Sequence, residues 1–520
     1  MFKNHPKGLL LAALSNMGER FGYYIMNAVL VLFLCSKFGL SDDVSSIIGA
    51  VFLAAIYLLS LPGGIIADRT SNYKGTISWG LVVMAIGYAI LSIPILATSD
   101  NTWWLLTLTI LALTTIAVGN GLFKGNLQAI VGQMYDDLEA EAAKKGPEAL
   151  RIAKRRRDSG FQIFYVFINI GGFIAPFVAP LLRGWWLKCN GLAYNAELPA
   201  LCHKYLNEGA QMSEKDMTNF TESVEKVGGT MSADMTAFCQ QYLDIFNTGV
   251  HYSFIASVVA MLISLVVFVA SRKMFPTPGK KEAKAVENYT EEEKQSMATE
   301  IKQRMYALYA VLGIAVFFWF SFHQNGQTLS FFARDFVVTD AIPPEIWQAV
   351  NPFFVIVLTP IIMWIFASLT KVGRTISTPC KIVYGMGIAS LAFLFLAVFS
   401  YLQGYPSSTD FLKEPENMRA AIKAEPWVLI FLYFLLTLAE LFISPLGLSF
   451  VSKVAPKHLQ GLCQGLWLGA TAVGNMLLPI GALMYNSWPI WICWTVFMVV
   501  CLISMGVMLG MVKWLERVTK

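Results

Sequence analysis

The chain has 520 residues, of which 56% are hydrophobic and 14% are charged. Soluble domains carry about 25% charged residues, so this composition excludes a soluble protein and indicates an integral membrane protein. The formal net charge of +5 is small for this length, and the positions of the basic residues are more informative than their sum.

Long apolar runs recur from one end of the chain to the other, and each is long enough to cross a bilayer as a helix. The first run is too long for a signal peptide, and we expect it to remain as a helix. The pattern therefore predicts an all-α integral membrane protein. Its twelve predicted spanning helices are 8–35, 44–67, 75–97, 103–132, 160–183, 245–270, 304–333, 346–370, 377–402, 425–451, 460–485 and 489–513.

Lysine and arginine are concentrated in the connections after the second, fourth, sixth, eighth and tenth predicted helices. Basic connections stay on the cytoplasmic side, so we expect both termini in the cytoplasm. We expect the membrane itself to be the cell inner membrane. The run Arg155, Arg156 and Arg157 is typical of an orientation signal that contacts anionic lipid, and we expect no nucleic-acid partner.

Two connections are much longer than the others. Residues 185–243 predict a partly ordered external loop, and residues 272–303 predict a charged cytoplasmic linker. The linker separates residues 1–271 from residues 304–520, with six predicted helices in each half. Equal halves joined in this way are typical of transporters built from two repeats, which bind substrate between the repeats near the membrane midplane.

Three of the eight cysteines, Cys189, Cys202 and Cys239, share the predicted external loop. Two of them can pair if the loop faces an oxidising compartment, and the sequence leaves open which two. The cysteine and histidine spacings of zinc sites are absent, so we expect no metal. We also find no phosphate-binding loop or nucleophile motif, and we expect neither an organic cofactor nor enzymatic activity.

An acid and a base lie side by side in the first predicted helix, as Glu19 and Arg20. On a helix they share one face with Asn16, Tyr23 and Asn27. Each charge costs roughly 2.5–3.5 kcal/mol at the centre of a spanning helix, so we interpret the pair as part of a functional site. The alternative is an ion pair that only holds helices together.

The second predicted helix ends in a pattern that is similar to the G-x-x-x-D-R-x-x-x-x-[KR] motif of the major facilitator superfamily. The residues are Gly64, Asp68, Arg69 and Lys74. We expect Gly64 to allow close helix approach and Asp68 to latch neighbouring helices through arginine and lysine at the cytoplasmic end.

Charged residues recur in the middle of two further helices, as Lys124 in the fourth and Glu440 in the tenth. Amide side chains alone would indicate contacts between helices, but charges in three helices favour a shared cavity. Arg20 and Lys124 in one half and Glu440 in the other suit a ligand with a carboxylate at one end and an ammonium at the other. Other polar and aromatic candidates for this cavity are Tyr23, Tyr24, Tyr57, Asn169, Trp319, His323, Gln324, Asn351, Ser444 and Trp467.

Along nearly its whole length the chain resembles the proton-dependent oligopeptide transporters, the peptide branch of the major facilitator superfamily. The matching motifs are Glu19-Arg20-Phe21-x-Tyr23-Tyr24, Phe123-Lys124-Gly125-Asn126, Phe164-Tyr165-x-x-Ile168-Asn169-x-Gly171, Asn351-Pro352 and Glu440-Leu441-Phe442-Ile443-Ser444-Pro445-x-Gly447-Leu448. The resemblance implies that Arg20 and Lys124 hold the peptide carboxylate or take part in proton coupling, and that Glu440 meets the peptide amine. It also implies a pocket lined by Tyr23, Tyr57, Asn169, Asn351 and Trp467.

The chain departs from the family pattern at three positions. The first acid of the usual E-x-x-E-R-F-x-Y-Y motif is Asn16, an arginine usual after the tyrosine pair is Asn27, and an acid common in the seventh helix is His323. Loss of one acid and one base from the first helix leaves the net charge unchanged. It also removes a titratable group, because an amide cannot carry a proton.

We therefore expect a symporter of the inner membrane that imports di- and tripeptides together with protons by alternating access between two six-helix bundles. Glu19 is the expected proton carrier, together with Arg20 and Lys124, and His323 is the second candidate. Two alternatives are a weakly coupled or uncoupled facilitator or exchanger of small zwitterions or anions, and a peptide-sensing receptor. The expected partners are peptides, protons and lipid, without an obligate protein partner.

Overall fold

The computed structural model describes residues 5–98, 100–195, 198–229, 235–277, 291–326, 328–338, 344–373, 376–411, 413–414 and 416–518. Within these ranges the chain is built from helices, and the β pairing is limited to a single bridge between Val337 and Ala424. The middle of the predicted linker, residues 278–290, lies outside the described residues.

Twelve helices of the described chain are long and apolar enough to cross a membrane, and each corresponds to one predicted helix. The prediction of an all-α, twelve-helix membrane fold is therefore confirmed. The spanning helices are α1 Lys7–Phe38, α2 Ile47–Thr70, α3 Tyr73–Leu91, α4 Thr102–Ala143, α5 Pro147–Cys189, α6 Met235–Ala270, α7 Ala298–Asn325, α8 Ala349–Lys371, α9 Thr378–Leu402, α10 Pro426–Val454, α11 Lys457–Ser487 and α12 Ile490–Val518.

Several spanning helices are interrupted near their middle. The helical segments of α10 are Pro426–Leu441 and Ser444–Val454, and the break directly precedes Pro445. The α2 helix is interrupted at Leu59. Proline cannot supply the helical N–H and crowds the preceding turn, so the backbone turns locally instead of continuing as one helix. Such breaks are found in transporters where side chains and backbone groups line a central site.

The α4 and α5 helices are much longer than predicted, with 42 and 43 residues. At 1.5 Å per residue each is about 63 Å long, whereas the apolar core of a bilayer is about 30 Å thick. Both extend past the other helices on the side of the molecule that carries the chain termini, which we call the termini side. Their extensions form a hairpin whose turn is at Lys144–Gly146.

The predicted loop 185–243 contains two helices, Leu198–Glu208 and Glu214–Lys226, which we call the cap helices. Their contact includes stacking of the Tyr205 and Phe220 rings, with centroids 4.9 Å apart. The second cap helix has a few apolar residues at helical spacing in an otherwise polar and charged sequence. Such a sparse pattern does not distinguish a short helix from a loop, so the sequence predicted a partly ordered loop here. The cap helices pack at the side opposite the termini, against the end of α1.

The two halves of the molecule approach closely on the termini side. A Cβ atom added to Gly64 of α2 would lie 2.4 Å from the carbonyl oxygen of Gly461 in α11, and one added to Gly465 would lie 2.6 Å from the oxygen of Ser60. No side chain fits in these gaps, so the backbones of α2 and α11 are in direct contact.

Candidate functional site

Glu19 and Arg20 form a buried ion pair on α1. Nε and Nη2 of Arg20 each donate a hydrogen bond of 2.6 Å to Glu19, one to each carboxylate oxygen. Neighbouring helical residues point about 100° apart, so the two side chains must curl toward each other to make this contact. Nδ2 of Asn120 on α4 donates to Glu19 Oε1 at 2.7 Å and holds the acid from a second helix.

Arg20 keeps binding capacity beyond this pair. Its guanidinium carries five N–H donors, and Glu19 takes two of them. The same group lies over the ring of Tyr23 at 4.6 Å from the centroid. Arg20 is 3% exposed, so the remaining donors face the interior of the protein.

Lys124 lies one helical turn beyond Asn120 on α4. Its ammonium is 4.1 Å from the centroid of the Tyr57 ring, a contact that stabilises a cation without neutralising it. Within the described chain, no carboxylate lies at ion-pair distance from Lys124. The nearby acid of α1, Glu19, is paired with Arg20 instead. Lys124 is therefore the basic side chain at this site that lacks a carboxylate partner among the described residues.

Glu440 provides the opposite charge from the second half. Nδ2 of Asn351 on α8 donates to Glu440 Oε2 at 2.8 Å and to Thr437 Oγ1 at 3.0 Å. The hydroxyl of Tyr165 on α5 donates to the other oxygen, Oε1. This last bond joins α5 in the first half to α10 in the second. Ser444, which was also predicted for the site, is buried one turn beyond Glu440.

Aromatic rings form the wall of the site in the second half. Trp319 stacks on His323 with centroids 4.8 Å apart and meets Trp467 edge to face at 6.3 Å. His323 Nδ1 is hydrogen-bonded to the side-chain oxygen of Asn475 on α11. A Cβ atom on Gly447 would lie 2.2 Å from the Trp467 ring, so a glycine in α10 is what allows this tryptophan to lie there.

Two predicted residues make their hydrogen bonds to residues four positions away along the chain. Gln324 is fully buried, donates to the carbonyl of Phe320 at 3.2 Å and accepts from Thr328, so its polar atoms serve the local break in α7. Asn169 donates to the carbonyl of Tyr165 in its own helix at 2.9 Å.

The remaining positions of α1 are not equivalent. Tyr23 and Tyr24 touch edge to face, with centroids 5.2 Å apart. Asn16 is 3% exposed, whereas Asn27 is exposed. Both asparagines lie on the same face of the unbroken helix, as their spacing predicts, and they differ in burial.

Asp68 latches the two halves at the termini side. Its carboxylate accepts hydrogen bonds from the backbone N–H groups of Gly461 at 2.9 Å and Leu462 at 2.8 Å, and from the hydroxyl of Tyr73. The expected partners were arginine and lysine, and this expectation is corrected. Arg69 is exposed, and Lys74 donates to Thr277 Oγ1 at 2.8 Å. The first N–H groups of a helix have no partner within it and attract an anion.

A second latch on the termini side centres on Asp158 of α5. Its carboxylate accepts hydrogen bonds from Lys453 at 2.6 Å, Ser449 at 2.6 Å, Thr378 at 3.0 Å and Lys381 at 3.3 Å, all from the second half. This cluster was not predicted from the sequence. The available signal was an acid directly after a run of three arginines at the start of an apolar segment.

Arg157, the neighbour of Asp158, extends this latch. It pairs with Asp136 and Glu139 on α4, the latter at 3.0 Å, and donates to the carbonyl of Ser452 on α10 at 3.0 Å. The three acids and three bases of the latch balance in charge. The central site is thus closed on the termini side by polar contacts between α4, α5, α9 and α10.

Comparisons with known proteins agree with this architecture. A peptide transporter of Yersinia enterocolitica is 28% identical over 504 residues, covering 91% of this chain and 87% of the relative. The dipeptide and tripeptide permease B of Shigella dysenteriae is 27% identical over 541 residues, covering 98% of this chain and 96% of the permease. With the twelve helices, these relatives identify a multi-pass membrane protein of the inner-membrane type.

Among solved structures, a peptide transporter POT in complex with sulfate matches with a TM-score of 0.60 at 22% identity, over 100% of this chain and 96% of that one. This likeness confirms the fold predicted from the sequence, that of the major facilitator superfamily. The profile of the POT family matches residues 74–202 and 279–490. Since that match spans more than half of the sequence, the chain belongs to the POT family.

Proposed function

We propose that this protein imports di- and tripeptides across the cell inner membrane in symport with protons. The observation that carries the proposal is the charge arrangement of the site, with unpaired Lys124 in one half and Glu440 in the other. The names of the relatives, which are peptide transporters and permeases, support the same class of substrate. The protein acts as a transporter and not as an enzyme, and protons replace any resident cofactor.

The two ends of a peptide are bound by different halves. The peptide carboxylate meets Lys124 and the remaining N–H groups of Arg20, which can bind it in two parallel hydrogen bonds. The peptide ammonium meets Glu440, whose oxygens already face the central space beside Tyr165 and Asn351. The rings of Tyr57, Trp319 and Trp467 offer apolar surface for varied side chains.

Glu19 couples binding to protonation. In the structure its charge is compensated by Arg20. A peptide carboxylate that draws Arg20 away leaves Glu19 as an unpaired buried charge, and uptake of a proton relieves that cost. His323 is the second proton carrier, because its Nδ1 contacts Asn475 while its other ring nitrogen remains for a proton.

The orientation follows from the basic connections and places the termini side in the cytoplasm. With the Asp68 and Asp158 latches formed, the cytoplasmic side of the site is closed. Opening to the cytoplasm then requires both latches to break as the two bundles rock about the central site. The Tyr165–Glu440 bond lies at the level of the pivot.

Uptake of dialanine by protein in liposomes under an inward proton gradient tests the proposal. We expect accumulation above equilibrium, and we expect Lys124→Ala and Glu440→Gln each to abolish it. Tyr309→Phe, a change on an exposed ring of α7, is the matched control and should transport normally. Absence of accumulation by the unmodified protein, with intact protein in the vesicles, would contradict the proposal.

Asn16 and Asn27 favour a second candidate, a facilitator or exchanger with weak proton coupling. Both stand where the family has a charged residue, and the resulting first helix has one acid instead of two. Counterflow of labelled dialanine without a proton gradient separates the two functions. Retained counterflow together with no response to the gradient would establish the exchanger.

A further inference from the structure

Two cysteines are buried together beneath the cap helices. Cys202 lies in the first cap helix and Cys239 lies near the start of α6, and both side chains have no exposed surface. The two thiols interact directly through a hydrogen bond. Cys189, at the end of α5 in the same connection, is exposed. The structure thus selects one pair from the three cysteines that the sequence leaves open.

The position of this pair connects the cap to two spanning helices. Cys202 is followed by His203, whose Nε2 is hydrogen-bonded to the backbone oxygen of Ser36 in α1 at 2.7 Å. The His203 ring also lies 3.1 Å from the position that a Cβ atom of Gly39 would occupy. A covalent bond from Cys202 to Cys239 would therefore fix the outer ends of α1 and α6 to each other through the first cap helix.

The environment of the pair also determines when such a bond can form. The hydrogen bond with Cys239 and burial both raise the pKa of the Cys202 thiol. Thiol–disulfide exchange proceeds through the thiolate, so Cys202 is a poor nucleophile in the folded, reduced protein, and an oxidant cannot reach either buried sulfur. Oxidation must take place while the connection is still folding and exposed.

We propose that Cys202 and Cys239 form a disulfide bond that fastens the cap to the transporter. The two sulfurs join, their two protons are released, and two electrons pass to a thiol–disulfide oxidant of the outer compartment, whose own disulfide becomes a dithiol. The proposal rests on the proposed orientation, which places the cap outside the cytoplasm, where disulfides persist.

Counting thiols tests the pair directly. Protein extracted from membranes under acid quench is unfolded in detergent and labelled with polyethylene-glycol maleimide, with and without prior reduction. With eight cysteines in the chain, we expect six labels before reduction and eight after. Cys189→Ser should give five and seven, whereas Cys202→Ser and Cys239→Ser should each give seven in both samples. Eight labels in the unreduced wild-type protein would overturn the proposal.

A second measurement separates the disulfide from the orientation. In intact spheroplasts, a membrane-impermeant maleimide should label Cys189 whether or not the pair is oxidised, because this residue is exposed. Labelled Cys189 with eight free thiols overturns the disulfide alone. Unlabelled Cys189 with eight free thiols overturns the orientation and the disulfide with it.

The disulfide should also have a structural effect that reduction reveals. We expect reductant to lower the thermal unfolding midpoint of the wild-type protein and of Cys189→Ser by several degrees. The double variant Cys202→Ser, Cys239→Ser should unfold at one temperature in both conditions. An equal response of the double variant to reductant would show that the pair is not the reduced group.

Discussion

At the scale of single residues, the site depends on side chains that hold the charged groups in place. Asn120 fixes Glu19 from a neighbouring helix, and Tyr165 reaches across the interface between halves to Glu440. Neither bond adds charge to the site. Each determines where an acid points and how readily it exchanges its present partner for substrate or a proton.

Replacement of Asn120 by leucine should alter proton coupling more than peptide binding. Loss of a buried hydrogen bond to a charged group costs about 1–3 kcal/mol, and it would release the Glu19–Arg20 pair from its contact with α4. We expect the pH optimum of proton-driven uptake to move while counterflow of dialanine persists. Thr109→Val is the control, since the Thr109 hydroxyl donates to the Leu105 carbonyl of its own helix. An unchanged pH profile would contradict the role of Asn120.

Tyr165→Phe removes one donor from Glu440 and leaves the ring in place. We expect KM for dialanine to change by about tenfold, which corresponds to 1.4 kcal/mol. Uptake kinetics for dialanine and for N-acetylated dialanine provide the measurement, because only dialanine has an ammonium group for Glu440. A KM that stays constant for dialanine would exclude this function of the hydroxyl.

His5 provides a pH dependence outside the membrane. Its ring is hydrogen-bonded to the Tyr135 hydroxyl at 2.6 Å, and burial, with Arg156 nearby, lowers the pKa of His5 to about 4. The folded state therefore binds the proton less tightly than the unfolded segment does. The contact of the N-terminal residues around His5 with Tyr135 of α4 is therefore fully stable above pH about 6.5, the ordinary histidine pKa. It weakens as the pH falls toward 4.

Hydrogen exchange of the amides of α1 nearest His5 measures the stability of this contact. We expect exchange to become faster between pH 6.5 and 4, after correction for the intrinsic pH dependence of exchange. His5→Gln should remove the additional change because glutamine does not titrate. The same acceleration in His5→Gln would rule out histidine as its cause.

At the scale of elements, the two latches on the termini side differ in what they bury. The Asp68 latch places one acid against the amides of Gly461 and Leu462, where the regular α-helix of α11 begins, and the hydrogen-bond partners named above for Asp68 among the described residues include no base. The Asp158 latch buries an acid between two lysines, each with a side chain 9% exposed. Removal of one member of a buried ion pair strands the other, so the second latch is more sensitive to a single change.

Asp158→Asn should strongly favour the state that is open at the termini side. Unpaired Lys381 and Lys453 would then cost about 3–5 kcal/mol unless the bundles separate and water reaches them. The distance between spin labels at Arg151 and Lys457 should increase. Lys453→Met in the same chain should restore part of the closed population. Equal distances in the wild type and Asp158→Asn would contradict the latch.

At the scale of the whole molecule, the twelve helices and their order can be predicted from the sequence, because each apolar run is by itself long enough to span a bilayer. The charged members of the site follow for a similar reason, since a charge in mid-membrane is costly wherever it occurs. The contacts that organise them do not follow. Asp158 and Lys453 are separated by 295 positions, and neither has a local pattern that identifies the other.

The differences between expectation and structure have the same origin. Asp68 was expected to bind side-chain cations, but the free amides of α11 are an equally suitable anion site that only the tertiary arrangement brings near. The second cap helix carries few apolar residues, and both cap helices are short, so they are stable through packing on each other and, for the first, on α1 and α6.

The long hairpin of α4 and α5 makes the rocking of the bundle measurable from the aqueous phase. Beyond residue 132, where the predicted span ends, α4 continues to Ala143, which adds about 16 Å of rigid rod. The turn at Lys144 therefore lies about 31 Å from the midplane. A tilt of about 15°, the size of known rigid-body rotations, would carry this tip through about 8 Å. The hairpin amplifies an angular change at the peptide site into a displacement that a fluorophore at Lys145 can report in a working transporter.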